Sequence, residues 1–342
     1  MTQRRSPGVQ AFQGAIFFGE GGNMRGDAAA DHANQFAGVA DAPEIPAWVL
    51  EDGAALRKHP AFPQALRLHA QLIAGNLERS RDLVRLTSEE AQLTLGIALT
   101  ALHLARNPGD PRSGATLTRI QAFAARYGLA SANRVAALIS LKRHAGYWRQ
   151  VDVSEDRRIK RLEPTEKGDA LSRLIAQSTL APIQLLSDRF DYFSLLENDP
   201  DFRARYSVEG INLYARGVRL ALAIPDAQFF MGQIAGRQIM FKLWLALVAQ
   251  SETGSSIVSC PYGYLASCFG VSRAHVRRMM EAAQERELVV IRKAGGQEIE
   301  LLPKFVDLQE TFTSLAFALL KKAADLAASG EGRGKIDWGI DI

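Results

Sequence analysis

Cysteine is scarce in this sequence. The two thiols, Cys260 and Cys268, are too few for a disulfide framework or a thiolate zinc site. Placed on one helix, they would lie about 12 Å apart by helical rise, beyond bridging distance, so core packing is their expected role. Long apolar runs are also missing. The most apolar stretch, Phe229 to Gln250, is interrupted by Gln233, Arg237, Gln238 and Lys242, which excludes a membrane helix there. An apolar leader core is absent at the start, so a cytoplasmic, nucleoid-associated location is expected. His32, His59, His69, His103, His144 and His275 are scattered without metal-ligand spacing, and no nucleophile–base pair can be assembled. Neither a metal, a cofactor nor an enzyme activity is therefore expected. Gly19 to Gly26 resembles a phosphate loop only superficially, because it lacks the Lys-Ser/Thr pair that would hold a phosphate and its metal.

What is present fits a globular protein of two domains. A chain of 342 residues, 47% hydrophobic and 23% charged, exceeds the size at which one core keeps growing. Residues 1–45 read as a disordered arm. Residues 46–183 form a first helical domain. Residues 184–328 form a second, with connecting helices at about 180–228, and residues 329–342 read as a flexible tail. Ala61 to Arg79 is amphipathic, and Thr87-Ser-Glu-Glu-Ala starts a helix running to about Arg106. That helix is apolar on nearly all sides, as are the segments 229–250 and 305–328. Such helices need neighbours or a second subunit, which makes 88–106, 229–250 and 305–328 candidate homodimer surfaces. Glu89-Glu90 reads as helix-start chemistry complementing the dipole. The aromatic group of Phe190, Tyr192, Phe193, Phe229, Phe230, Phe241 and Trp244 reads as core or interface, with room for a small-molecule effector among those helices.

The informative motif runs from Leu265 to Met280, LASCFGVSRAHVRRMM. Ala266 is small where two helices would cross, Gly270 supplies a left-handed turn, and Ser272 is an N-cap candidate. Val276 and Met279 face inward, leaving Arg273, His275, Arg277 and Arg278 for the other faces; Arg273 and Arg277, four apart, share one. Leu288 to Leu302 then gives two β-rich runs joined at Ala294-Gly-Gly-Gln297, with Arg292 and Lys293 near the tip. Helix, turn, helix and hairpin in that order predict a winged helix-turn-helix.

About 141 residues earlier the same parts occur. Leu117 to Tyr127 leads, Gly128-Leu-Ala130 turns, and Ser131 to His144 is the reading helix, with Val135, Leu138 and Ile139 inward. The inward residues shift by one position relative to the glycine, so this turn is expected to be one residue longer. Ser131, Asn133, Arg134, Ala137, Lys142 and Arg143 are expected on the exposed side. Residues 131–161 hold eight Lys or Arg against three acids, and 271–293 hold six against three, a combined excess larger than the whole chain's +4. Charge concentrated in two short segments points to DNA phosphates.

The segment Gly146 to Gly168, GYWRQVDVSEDRRIKRLEPTEKG, resembles the wing of MarR-type transcriptional regulators, in which an Asp-Arg-Arg wing precedes a Leu-Thr-x-x-Gly helix start. The resemblance covers about residues 88–180. It implies that Asp156 braces Arg158, that Arg158 enters the minor groove, and that Arg157 approaches the backbone; Lys160, from the basic segment, is a further DNA-contact candidate. Two departures stand out: Pro164 takes the place of Leu before Thr165, and the second wing lacks Asp-Arg-Arg. The expected fold class is mainly α with small β wings, two winged helix-turn-helix domains in tandem plus long packing helices. The expected function is sequence-specific double-stranded DNA binding in transcription regulation. Tandem winged helices also resemble plasmid replication initiators, and a protein-interaction module without DNA binding is the third reading.

Overall fold

Apolar residues at helical spacing account for most of the chain, and in the computed structural model most of them lie in helices. The structure describes residues 44–78, 86–87, 89–153, 156, 158–216, 218–250, 254–331, 335–336 and 338, with backbone alone at 76–78. Apart from Glu44 and Ile45, the expected N-terminal arm lies outside these residues, as does the glycine-rich run at 19–26.

Helices α1 (Ala47–Arg57), α2 (Phe62–Glu78) and α3 (Glu90–Leu104) come first. Then follow α4 (Leu117–Arg126), α5 (Ala132–His144) and an antiparallel hairpin of β1 (Trp148–Asp152) and β2 (Lys160–Pro164). Helix α6 (Glu166–Gln184) leads through α7 (Tyr192–Asn198), α8 (Phe202–Ala215), α9 (Leu220–Ala223) and α10 (Pro225–Met231) to α11 (Gly236–Ala249). The second series is β3 (Ile257–Val258), α12 (Tyr262–Phe269), α13 (Arg273–Glu285), β4 (Val289–Lys293), β5 (Glu298–Leu301) and α14 (Pro303–Ser329). The protein is mainly α with small antiparallel sheets. Two helices, a hairpin and a long helix therefore occur twice in the same order. Each hairpin also gains an outer partner from just before its helix pair. Strand β3 pairs with β5 to give the order β3-β5-β4, and Thr116 makes a single antiparallel bridge to Arg161.

Packing joins the two series. One core gathers Leu95, Leu99, Ile120, Phe123, Val135, Trp148 and Leu162 with Val208 and Ile211 of α8. The larger core joins Phe62, Leu66 and Leu180 of α2 and α6 to Phe230, Phe241, Leu265, Val276, Phe305 and Phe317. A boundary at 183/184 thus falls inside α6, and the larger core draws on helices from both sides of it. Burying each Phe or Leu contributes about 1.5–3 kcal/mol, so this seam is a strong one.

Several expectations change. The helix read as continuous over 229–250 is broken between α10 and α11. Ala235 adopts φ 59°, and a Cβ on Gly236 would sit 2.0 Å from the Phe230 carbonyl oxygen, so close backbone approach replaces a helical turn. Cys260 lies before α12 and not on a helix with Cys268; burial pushes its thiol up to about 11. Helix α3 starts at Glu90 with Glu89 at the cap position and no side-chain cap bond. Within the segment read as a flexible tail, Trp338 packs in the first core. There its ring centroid lies 4.5 Å from that of Phe123, and its carbonyl accepts the Tyr127 hydroxyl at 3.2 Å.

The long apolar helices spend their apolar residues inside the chain. Leu95, Leu99 and Leu102 of α3, Ile239, Phe241 and Leu243 of α11, and Phe305 and Phe317 of α14 are all buried. The apolar character that suggested a second subunit is accounted for within one chain. The exposed large hydrophobics among the described residues are the scattered Leu50, Leu117, Leu141, Ile257 and Tyr264. No helix among the described residues is long and apolar enough to cross a membrane.

Candidate nucleic-acid interface

The second series builds its outer face from a tight turn. Gly270 closes α12 at φ 65°, and the Val271 amide donates back to Ala266 O at 3.1 Å. A left-handed residue here costs glycine little. Ser272 then caps α13, its Oγ accepting from the His275 amide at 3.0 Å. Val276, Met279, Met280 and Ala283 turn inward, which leaves Arg273, Arg277 and Arg278 exposed. Among the described residues Arg277 makes only an exposed i,i+4 pair with Glu281 at 3.8 Å, an interaction that solvent leaves weak. His275, expected on the exposed side, is half-buried. Its Nε2 donates to the Ile234 carbonyl at 3.0 Å, and burial lowers its pKa. It ties α13 to the break before α11 and is not free to read bases.

The β4–β5 hairpin turns through Gly295 and Gly296, at φ 75° and 79°. A Cβ at Gly296 would lie 2.4 Å from the Cys260 carbonyl oxygen, so the turn needs glycine twice over. Arg292 lies along the hairpin with its Nε 2.8 Å from Glu300 Oε2, while Lys293 is exposed beside the tip.

The first series repeats the geometry with one change. Gly128 has φ 62°, and Leu129 donates to Ala124 O at 2.9 Å. Two residues, Leu129 and Ala130, separate this glycine from the cap Ser131, against one in the second series. The turn is longer by one residue, as the inward pattern requires. From the caps onward the two helices run in step. Ser131 accepts from the Arg134 amide at 3.3 Å, and Val135 and Ile139 occupy the places of Val276 and Met280.

The outer face is less basic than expected. Asn133, Ala137 and Arg143 are exposed. Arg134 is paired to Glu89 at the start of α3, with both side chains largely covered. Lys142 is buried, its Nζ donating to Leu86 O at 3.2 Å, and loss of hydration pushes its pKa down to about 8. Both assignments to the exposed side are therefore corrected. In the hairpin, Arg157 lies outside the described residues. Arg158 is exposed. Asp156 accepts from the Arg158 backbone amide at 3.0 Å, so it shapes the turn and does not hold the guanidinium. Lys160 is exposed and paired with Asp152 at 2.7 Å across the strands.

The Thr165-x-x-Gly168 element has a clear structural meaning. Thr165 Oγ1 accepts from the Gly168 amide at 3.2 Å and donates to Gly146 O at 2.6 Å. A Cβ on Gly168 would meet the Tyr147 carbonyl oxygen at 2.0 Å. Threonine caps α6 and clamps it to the start of the hairpin; glycine lets the two backbones touch.

Arg143, Arg158, Arg273, Arg278 and Lys293 are thus exposed and make no ion pair within the described residues. Arg149, counted only in the charge total, is also exposed on β1 and loosely paired with Glu163 at 3.4 Å; its outward strand position was the available signal. Among the described residues no group of three or more His, Cys, Asp or Glu is placed to hold a metal ion. The chain matches no protein-family model, no curated protein and no solved structure.

Proposed function

We propose that the protein is a sequence-specific double-stranded DNA-binding regulator of transcription, built from two winged helix-turn-helix units in one chain. One observation carries the reading. Two capped helices, Ser131–His144 and Ser272–Glu285, follow left-handed glycine turns and precede β-hairpins, and both units offer exposed cations on helix and hairpin. A helix of this kind fits the major groove with its first turns at the base edges, and the hairpin reaches the flanking backbone or minor groove. Arg273 and Arg277, one turn apart, suit guanine edges or phosphates. The exposed amino ends of the two helices add favourable dipoles for phosphate.

The second unit is the stronger reader. Its helix keeps three exposed arginines, whereas the first has only Arg143 after Arg134 and Lys142 are withdrawn. In the first unit Arg158 on the hairpin becomes the main contact.

The test is selection of bound duplexes from random sequence, followed by anisotropy titrations across salt concentration. Affinity should fall steeply with salt. Arg277→Ala and Arg273→Ala should each cost about 1–3 kcal/mol and relax sequence preference, while Arg158→Ala should weaken all sequences more evenly. Absence of any enriched sequence, or binding indifferent to salt and to these substitutions, would refute the proposal and favour a protein-interaction role. Genomic mapping of bound sites separates promoters from a replication origin.

A further inference from the structure

A cavity of about 380 Å³ lies between α3, α5, α6, α8, α11 and α14, within the range of small-molecule sites. Its walls are largely apolar, with Trp148 and Phe241 among them, yet three cations reach it: Lys142, Arg219 and Arg237. Arg237, the second residue of α11, is part-buried and lines the cavity. It makes no hydrogen bond or ion pair within the described residues. Glu90, also at the cavity, is its one charged influence, and desolvation outweighs it. Lys142 reaches a single carbonyl. Arg219 lies over the rings of Tyr127 and Tyr214, at 5.0 and 5.6 Å, and its Nε has no partner.

A part-buried guanidinium without an acceptor is costly, and three cations lining the cavity against one carboxylate leave positive potential there. We propose that this cavity binds a small organic anion, a carboxylate on an apolar body, with Arg237 as the principal partner of the carboxylate and Lys142 and Arg219 supporting it. The apolar body lies against Trp148 and Phe241. Both arginines come from the middle of the chain and Lys142 from α5, so the site exists only in the assembled fold. It requires no DNA, and its test is independent of the DNA-binding reading.

The experiment is calorimetric titration of the full chain with octanoate and, separately, 2-naphthoate, with thermal melts alongside. Inorganic phosphate controls for charge without an apolar body, and 1-octanol for an apolar body without charge. Saturable binding of at least one carboxylate is expected, with a raised Tm and affinity at least tenfold above both controls. Arg237→Met should weaken that binding at least tenfold, whereas Arg112→Ala, at an exposed loop position away from the cavity lining, should leave it unchanged. Unliganded Arg237→Met should melt at or above the wild-type temperature, because it removes an uncompensated cation. No saturable binding of either carboxylate, equal binding by Arg237→Met, or equal binding of octanol or phosphate overturns the site. So does an unliganded Arg237→Met protein that melts lower or fails to fold, since Arg237 would then have its partner within the fold.

Discussion

Replacing Lys142 by Met should stabilise the protein at neutral pH, against the usual direction of a substitution at a buried position. The lysine is 6% exposed, and loss of hydration takes its pKa from 10.5 to about 8. A difference of that size corresponds to about 3 kcal/mol of cost to the folded state while both states carry the proton. Met keeps the unbranched shape and a similar helix propensity. The substitution gives up one hydrogen bond to Leu86 O, worth about 1 kcal/mol, which leaves a net gain of about 2 kcal/mol at pH 7. The sign follows from linkage. Between pH 8 and 10.5 the unfolded chain holds the proton and the folded chain does not, so the wild type gains stability as pH rises through that window. Urea unfolding of both proteins at pH 6 to 10.5, followed by circular dichroism, should show a gap favouring Met that is constant below about pH 7 and closes above pH 8. A Met variant less stable at pH 7, or a gap that does not change with pH, would refute the reasoning.

Other substitutions test other joints of the fold. His69 sits edge-on between Phe241 and Phe317, at 5.2 and 5.3 Å, and burial lowers its pKa to about 3. Stability should therefore fall as pH drops below 6.5, by about 2 kcal/mol at pH 5, and His69→Leu should abolish that part of the acid sensitivity in urea titrations. Gly168→Ala must push a Cβ into the Tyr147 carbonyl and should cost at least about 2 kcal/mol, seen as a lowered Tm; an unchanged Tm would show that α6 can move away from the hairpin freely. Trp338→Ala removes a buried ring from the first core and should cost about 3 kcal/mol, measurable by denaturant unfolding of the full chain.

Much of the geometry of the two helix pairs was legible because its signals are local. Gly128, Ser131, Gly270 and Ser272 each act within a few residues, and an inward stripe displaced by one position was enough to place the extra turn residue. Lys142 was legible too, though it was read by charge. It lies three residues after Ile139 and seven after Val135, which puts it on the buried stripe of α5. The fate of Arg134 and His275 was not accessible in this way, because Glu89 and the Ile234 carbonyl are brought to them by tertiary packing. The break before α11 depends on backbone contact between Phe230 and Gly236, which hydrophobic periodicity does not register. Trp338 stood alone in a polar, glycine-rich segment, and nothing nearby in sequence announces its distant partners. The cavity was equally hidden, since its walls come from helices far apart in the chain.

The return of Trp338 sets a timetable for synthesis. It lies 211 residues beyond Tyr127, which bonds to it. At a translation rate of roughly 5–20 residues per second, about 10–40 s elapse between the emergence of the two. Throughout that interval the ring of Phe123 faces an unfilled place, and the first core waits, incomplete, for Trp338. A nascent chain stalled before Trp338 would carry an open wound in a part of the protein finished long before.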